Sequence, residues 1–251
     1  MPNWVKNEIF IKGEGASSKI AKCLNFDEDG DIMFDFNSII PMPKDLEDTP
    51  ESSDLYNAMK YILYTDVELI GATAEQLEKL FFYNECSLMI KDKEEFGRIK
   101  EWFEKNKEEN TELALKGLKN IVKYGFPTWY RWRLANWGCK WNSSETCYIK
   151  ANENECEIHF STAWKCPIPI IIKLSQMFKD LKISGRYSDE DVGCNCGLYY
   201  TEKDKLNIVE LKDLSKEAYE TYIDMWGMPS DLAFNEETQN YEWLEECENC
   251  D

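Results

Sequence analysis

The strongest constraint on this chain's fold is the order of its two hydrophobic rhythms. A two-residue rhythm opens it: Val5, Asn7, Ile9 and Ile11 alternate with Lys6, Glu8 and Lys12, which predicts a strand over Trp4–Lys12. Gly13 and Gly15 break that strand, and Ser17 or Ser18 is placed to cap a helix carrying Ile20, Cys23 and Leu24. An acidic turn, Asp27–Asp31, and an extended run over Ile32–Ile40 follow, ending at Pro41-Met42-Pro43. The rhythm then becomes helical from Leu55 to Lys123. Leu55, Met59, Ile62 and Leu63 fit one face; Phe96, Ile99 and Phe103 another; Leu113, Leu115, Leu118 and Val122 a third. Thr73 and Gln76 have the spacing of a capping box ahead of Leu77, Leu80 and Phe81.

After Trp141 the two-residue rhythm returns. Thr146–Ala151 and Cys156–Ser161 predict a hairpin around Asn152–Glu155. Pro167 and Pro169 introduce a helix with Ile170, Leu174, Met177 and Leu181, and Lys182–Tyr187 reads as a strand. Leu198–Thr201 and Leu206–Leu211 predict a second hairpin, and Tyr219, Tyr222, Ile223 and Trp226 a closing amphipathic helix. Strand, helix, long insert, strand, strand, helix, strand is a ferredoxin-like β-α-β-β-α-β core split after its first helix. We therefore expect an α+β fold with a large, mainly helical insertion and a C-terminal hairpin and helix extension. The expected parts are a core of residues 1–26 plus 141–211, an insertion of residues 27–140 packed on it, and a C-terminal helix with acidic tail over 212–251.

Forty-eight acids against 29 bases give a net charge of −19. Such a field repels nucleic acid and anionic membranes and speeds encounter with basic surfaces. The last 17 residues carry seven of those acids and no base. Asp27, Asp29 and Asp31 imitate the start of a calcium loop, but Ile32 stands where the glycine belongs and Ser38 where the closing acid belongs, so that reading fails. These acids, with Asp189, Glu190, Asp191, Glu236, Glu237, Glu242, Glu245 and Glu246, are instead candidates to face a basic protein.

Other chemistry is sparse. His159 is the lone histidine and has no nucleophile-and-base signature around it. Gly13-Glu-Gly15 lacks the rest of a phosphate loop. Cys194 with Cys196 and Cys247 with Cys250 are weak zinc candidates, and we expect no metal or cofactor. No secretory signal or membrane-length apolar run is present, so reduced thiols in the host-cell cytoplasm are expected.

Four segments carry a resemblance: Met1-Pro2-Asn3-Trp4, Phe36-Asn37-Ser38-Ile39-Ile40-Pro41-Met42-Pro43, the block Trp129-Tyr130-Arg131-Trp132-Arg133 leading to Asn136-Trp137-Gly138-Cys139-Lys140-Trp141-Asn142, and Phe160-Ser161-Thr162-Ala163-Trp164 before Pro167-Ile168-Pro169. In this order they resemble the YubB-type ferredoxin-like-domain proteins of plasmids and phages. The resemblance implies the split core and a mobile-element origin, and it carries over no catalytic residue.

Two functional expectations follow. The first is a non-enzymatic phage or plasmid protein that binds and inhibits a host nucleic-acid-handling defence protein, such as a CRISPR effector, by acidic mimicry and without touching nucleic acid or membrane itself. The alternative is a small-ligand or nucleotide-derivative binder using a tryptophan seam of Trp129, Arg131, Trp132, Trp137, Lys140, Trp141 and Trp164. Apart from any such ligand, those rings are expected to form a packed seam locked by Trp164.

Overall fold

Trp4–Lys12 forms β1, and its alternation places Val5, Ile9 and Ile11 in the core at zero exposure. The computed structural model describes residues 2–73, 75–76, 88–203 and 205–244. Contacts divide the chain into two units: residues before Met42 with those after Ala135, and Met42–Ala135.

In the first unit β1 is followed by a short helix, α1 (Ala16–Ile20), and a small hairpin of β2 (Leu24–Phe26) and β3 (Ile32–Phe34). A one-turn helix, α2 (Phe36–Ile39), comes next. The chain returns to this unit with β4 (Ser144–Asn152), β5 (Glu155–Ala163), α8 (Ile168–Met177) and β6 (Lys182–Asp189). It ends with β7 (Gly197–Glu202), β8 (Lys205–Glu210), α9 (Lys216–Trp226) and a hairpin of β9 (Leu232–Asn235) and β10 (Asn240–Trp243).

The six-stranded sheet has the order β4-β5-β1-β6-β7-β8, antiparallel throughout. Its first four strands are the split β-α-β-β-α-β arrangement, with β1 and β5 central and each crossover made by a helix. The second predicted hairpin, β7 and β8, widens the same sheet beyond β6. Two glycines make this joint possible. A Cβ at Gly185 would lie 2.2 Å from the Glu8 carbonyl oxygen, and one at Gly197 would lie 2.4 Å from the Tyr187 hydroxyl. On one side the buried faces of α1 and α8 supply Ala16, Ile20, Ile170, Ile171 and Leu174. On the other, α9 lies along β6, with the Trp226 indole donating to the Ser188 carbonyl at 3.1 Å.

Several local expectations are corrected. Ile32–Ile40 is not one extended run: Asp35 accepts from the Asn37 amide at 2.9 Å, caps α2 and turns the chain after β3. Neither Ser17 nor Ser18 caps α1, which starts from Gly15 in a left-handed conformation; Ser17 is buried and donates to the Asn152 carbonyl. Leu24 leaves the helix and opens β2, and Met177 is exposed rather than on the apolar face. The core unit reaches Pro41 and resumes at Asn136, so β2, β3 and α2 lie outside the helical unit. The reason is aromatic: Phe34 and Phe36 pack on Phe160 at 5.2 and 5.9 Å between ring centroids, and Phe36 on Trp137 at 5.9 Å. The first part of the acidic tail pairs as β9 and β10, with Tyr241 packed on Tyr219 and Phe234.

The second unit comprises α3 (Lys44–Glu47), α4 (Ser53–Thr65), α5 (Lys93–Lys105), α6 (Lys107–Tyr124) and most of α7 (Trp129–Asn136). Ser52 and Asp92 cap α4 and α5, and Gly125 in a left-handed conformation ends α6. Its core joins Leu55, Met59 and Ile62 to Ile99, Phe103, Leu118 and Ile121. On α6 the buried line is Ala114, Leu118 and Ile121; of the predicted stripe Leu118 is buried, and Leu113, Leu115 and Val122 are half-buried against the same core. Small residues let α4 come close: a Cβ at Gly117 would sit 2.6 Å from the Met59 sulfur. Thr73 and Gln76 do exchange the two capping-box hydrogen bonds, at 2.8 and 3.3 Å. The predicted helical positions Leu77, Leu80 and Phe81 lie outside the described residues.

Candidate functional site

The segment Asn136–Asn142 shows how sequence fixes local structure here. Trp137 is 1% exposed and its indole N–H donates to the Ile40 carbonyl at 2.9 Å. Gly138 adopts φ 84°, and a Cβ there would lie 2.8 Å from Cδ of Pro169. Asn142 accepts from the Phe36 amide at 2.8 Å and donates to Asp35 at 2.8 Å, tying this turn to α2. These residues are accounted for by packing. Trp141 is not: it is 36% exposed.

Trp164 is its neighbour. β5 ends at Ala163, and Trp164 then takes φ 68°, a left-handed conformation that costs a bulky residue about 1–3 kcal/mol. It is held there by its own backbone, its amide donating to the Asn3 carbonyl at 2.8 Å and its carbonyl accepting from the Asn195 side chain at 3.1 Å. The residue is 38% exposed. Trp141 and Trp164 lie 5.9 Å apart with their planes 24° from parallel, and the half-buried Trp4 extends the group at 6.3 Å from Trp141. The Lys140 ammonium stands over both rings, 4.5 Å from Trp141 and 5.3 Å from Trp164.

Beside these rings lies an acidic corner at the end of β6. Asp189 is 5% exposed; it accepts from Asn195 at 2.8 Å, from the Asp191 amide at 3.0 Å and from Asn3 at 3.5 Å. Asn3 also donates to Asp191 at 2.8 Å, and the Glu190 amide to the Trp4 carbonyl at 2.9 Å. Two carboxylates, Asp189 and Asp191, are thus fixed by Asn3, Asn195 and a backbone amide, and the Glu190 backbone is tied to Trp4.

The expected tryptophan seam is therefore not one site. Lys140, Trp141 and Trp164 come together, joined by Trp4, which sequence reasoning missed although it opens the strand that runs past Trp164. Trp137 is core. Trp129, Arg131 and Trp132 belong to the helical unit: Arg131 donates to Glu51 at 3.0 Å and to the Tyr56 hydroxyl at 3.1 Å, the Arg133 guanidinium lies over Trp129, and Trp132 is buried. Trp164 does not lock a buried seam: it stacks on Trp141 and leaves more than a third of its surface in solvent.

The remaining candidates fall elsewhere. Asp27 serves its own turn, accepting from the Asp29 and Asp31 amides at 3.0 and 2.8 Å. Glu242 accepts from Asn235 and Thr238 across the β9–β10 hairpin, which holds its carboxyl below the usual range; Glu236 and Glu237 lie in the turn. Glu245, Glu246, Cys247 and Cys250 lie outside the described residues. The Cys196 thiol donates to Ser188 and the Cys194 carbonyl, both at 3.3 Å, and among the described residues no cluster of three or more His, Cys, Asp or Glu is arranged to hold a metal. His159 sits on the opposite face of the sheet from Val5 and Ile9, 3.2 Å from Glu157 and 3.7 Å from Glu8, which in turn binds Arg186 at 2.6 Å. The Glu8–Arg186–Asp224 ion pairs and these contacts place His159 in a surface polar network.

Residues 136–241 match a family model described as the ferredoxin-like domain in Api92-like protein. The fold is ferredoxin-like. No curated protein gives a significant match. Among solved structures, a crystal structure of a protein api92 from Yersinia pseudotuberculosis aligns with a TM-score of 0.39 at 11% identity, covering 84% of this chain and 99% of that one. Among the described residues no helix is long and apolar enough to cross a membrane.

Proposed function

We propose that this protein is a non-enzymatic product of a phage or plasmid, of YubB type, that binds and inhibits a host nucleic-acid-handling defence protein. The observation that carries the reading is a net charge of −19, with several of the candidate carboxylates held in place by hydrogen bonds. Asp27 is fixed by its turn, Glu242 by Asn235 and Thr238, and Asp189 and Asp191 by Asn3 and Asn195. A carboxylate that is already ordered loses less freedom on meeting a cation. The mechanism is blockade: acids engage the Lys and Arg side chains with which the target grips phosphates, so affinity falls as salt rises.

Affinity capture with the tagged protein from nuclease-treated host extract tests it, followed by reconstitution with the purified partner. A stoichiometric partner that binds DNA or RNA, loses that binding on addition of this protein and is released by salt supports the reading. A bait that retains no partner, or one whose nucleic-acid binding is untouched, overturns it.

A further inference from the structure

We propose that Trp141 and Trp164, with Trp4 and the acids at the end of β6, form a receiving site for an arginine side chain of a basic partner protein. The inference rests on the acidic-partner reading above, and adds where the contact is made and which residue makes it.

Three observations converge. Two tryptophans stand side by side with more than a third of their surface in solvent, while Trp137, four residues before Trp141, is buried. Large apolar rings left together at a surface mark a place of contact. Second, the rings already hold a cation from their own chain, since the Lys140 ammonium lies over both. The faces of these indoles are thus electrostatically suited to positive charge. A guanidinium suits them better than an ammonium, being planar and more weakly hydrated, so that it stacks as well as attracts. Third, the residues that hold the backbone of Trp4 and Trp164 also carry or bind acids. Asp191 is held by Asn3, whose carbonyl accepts from Trp164, and Glu190 is anchored to the Trp4 carbonyl. A guanidinium stacked on the rings would find planar acceptors for paired hydrogen bonds there. The same carboxylates oppose the phosphate of a nucleotide, which makes the nucleotide alternative the weaker occupant of this surface.

The test uses the full chain and two fluorescent decapeptides of equal charge, one with four arginines and one with four lysines, with adenosine monophosphate as a third probe. Binding is read by anisotropy at low and high salt. The expected result is that the arginine peptide binds at least fivefold more tightly than the lysine peptide. Trp164→Leu and Trp141→Leu each weaken the arginine peptide at least tenfold and the lysine peptide less than twofold. Asp191→Asn keeps the oxygen that Asn3 bonds, so the fold is retained, and it weakens the arginine peptide at least threefold. Equal binding of both peptides, unaffected by the tryptophan variants, overturns the arginine site and leaves the acidic-partner reading standing. Saturable tryptophan quenching by adenosine monophosphate that is lost in Trp164→Leu assigns the surface to a nucleotide and also overturns it. Failure of both peptides to bind overturns it as well, whatever partner the capture experiment returns.

Discussion

The Tyr199 hydroxyl occupies the space where a Cβ of Gly185 would stand. It donates to the Glu8 carbonyl at 3.0 Å, and a Cβ at position 185 would approach it to 2.3 Å and the Glu8 oxygen itself to 2.2 Å. Three strands, β1, β6 and β7, thus meet through one absent side chain. Gly185→Ala is expected to destabilise the core by about 3 kcal/mol or more, the upper end of overpacking effects, because one of the obstacles is backbone. Urea unfolding measures this. Tyr199→Phe in the same background removes the hydroxyl but not the carbonyl, and is expected to restore little.

Gly197 gives the complementary case. The three atoms nearest its missing Cβ all belong to the Tyr187 side chain, at 2.4–2.6 Å. Gly197→Ala is expected to destabilise by about 1–3 kcal/mol, and replacing Tyr187 by Leu in the double variant to recover part of that loss. A double-mutant cycle with no coupling would show that the ring does not sit where the structure places it.

Trp137 joins the two ends of the core unit through its indole bond to Ile40 and its ring contact with Phe36. Trp137→Ala is expected to cost about 3–5 kcal/mol. Trp141→Ala, four residues on, is expected to cost under about 1 kcal/mol, as exposed substitutions do. Equal losses from the two would contradict the division of this motif into packing and display.

Asp45 lies on the helical unit, where hydrogen bonds from Lys123 and then Tyr124 hold its carboxyl below 3.8. The folded value is depressed, so this contribution to stability is present above about pH 4 and is lost as pH falls through the folded value. Carbon-detected NMR titration should find Asp45 still ionised when most exposed carboxylates have protonated. Asp45→Asn should flatten that part of the acid limb of stability.

The cysteines should separate by reactivity. Cys147 is exposed, whereas burial pushes the Cys23 thiol up to about 11 and Cys166 well above its ordinary value. Iodoacetamide at pH 8, followed by peptide mass spectrometry, should label Cys147 well before Cys23 or Cys166, since the thiolate is the reacting form.

What the sequence made legible was the core's rhythm. β1, β5, α8 and β6 follow from alternation and helical spacing because one face of each is buried, while β4 alternates only between half-buried and exposed positions. The one-turn helix α2 was not legible, since Phe36-Asn37-Ser38-Ile39 has no apolar period long enough to declare itself and the deciding cap, Asp35, reads equally well as a loop acid. The β9–β10 hairpin was hidden by its charge, although Phe234 and Tyr241 held the clue in their shared contact. The site was half legible. Aromatic density pointed to the right block, but Trp137 and Trp141 are chemically identical in sequence, and only the register of the turn at Gly138 decides which one is buried. Trp4 joins through strand pairing across more than 150 residues, Trp4 opposite Ala163, which no local pattern reports.

The position of β1 at the middle of the sheet has a consequence for biosynthesis. Its partners are β5 and β6, so β1 leaves the ribosome long before either strand it must pair with. At roughly 5–20 residues per second, the stretch between Lys12 and the end of β6 takes on the order of ten seconds to emerge. Until then Val5, Ile9 and Ile11 have no sheet to join, while Met42–Ala135 has its core supplied from within its own span. The helical unit is therefore expected to be finished before the sheet, and the unpaired β1 to be a segment that needs a chaperone's protection while it waits.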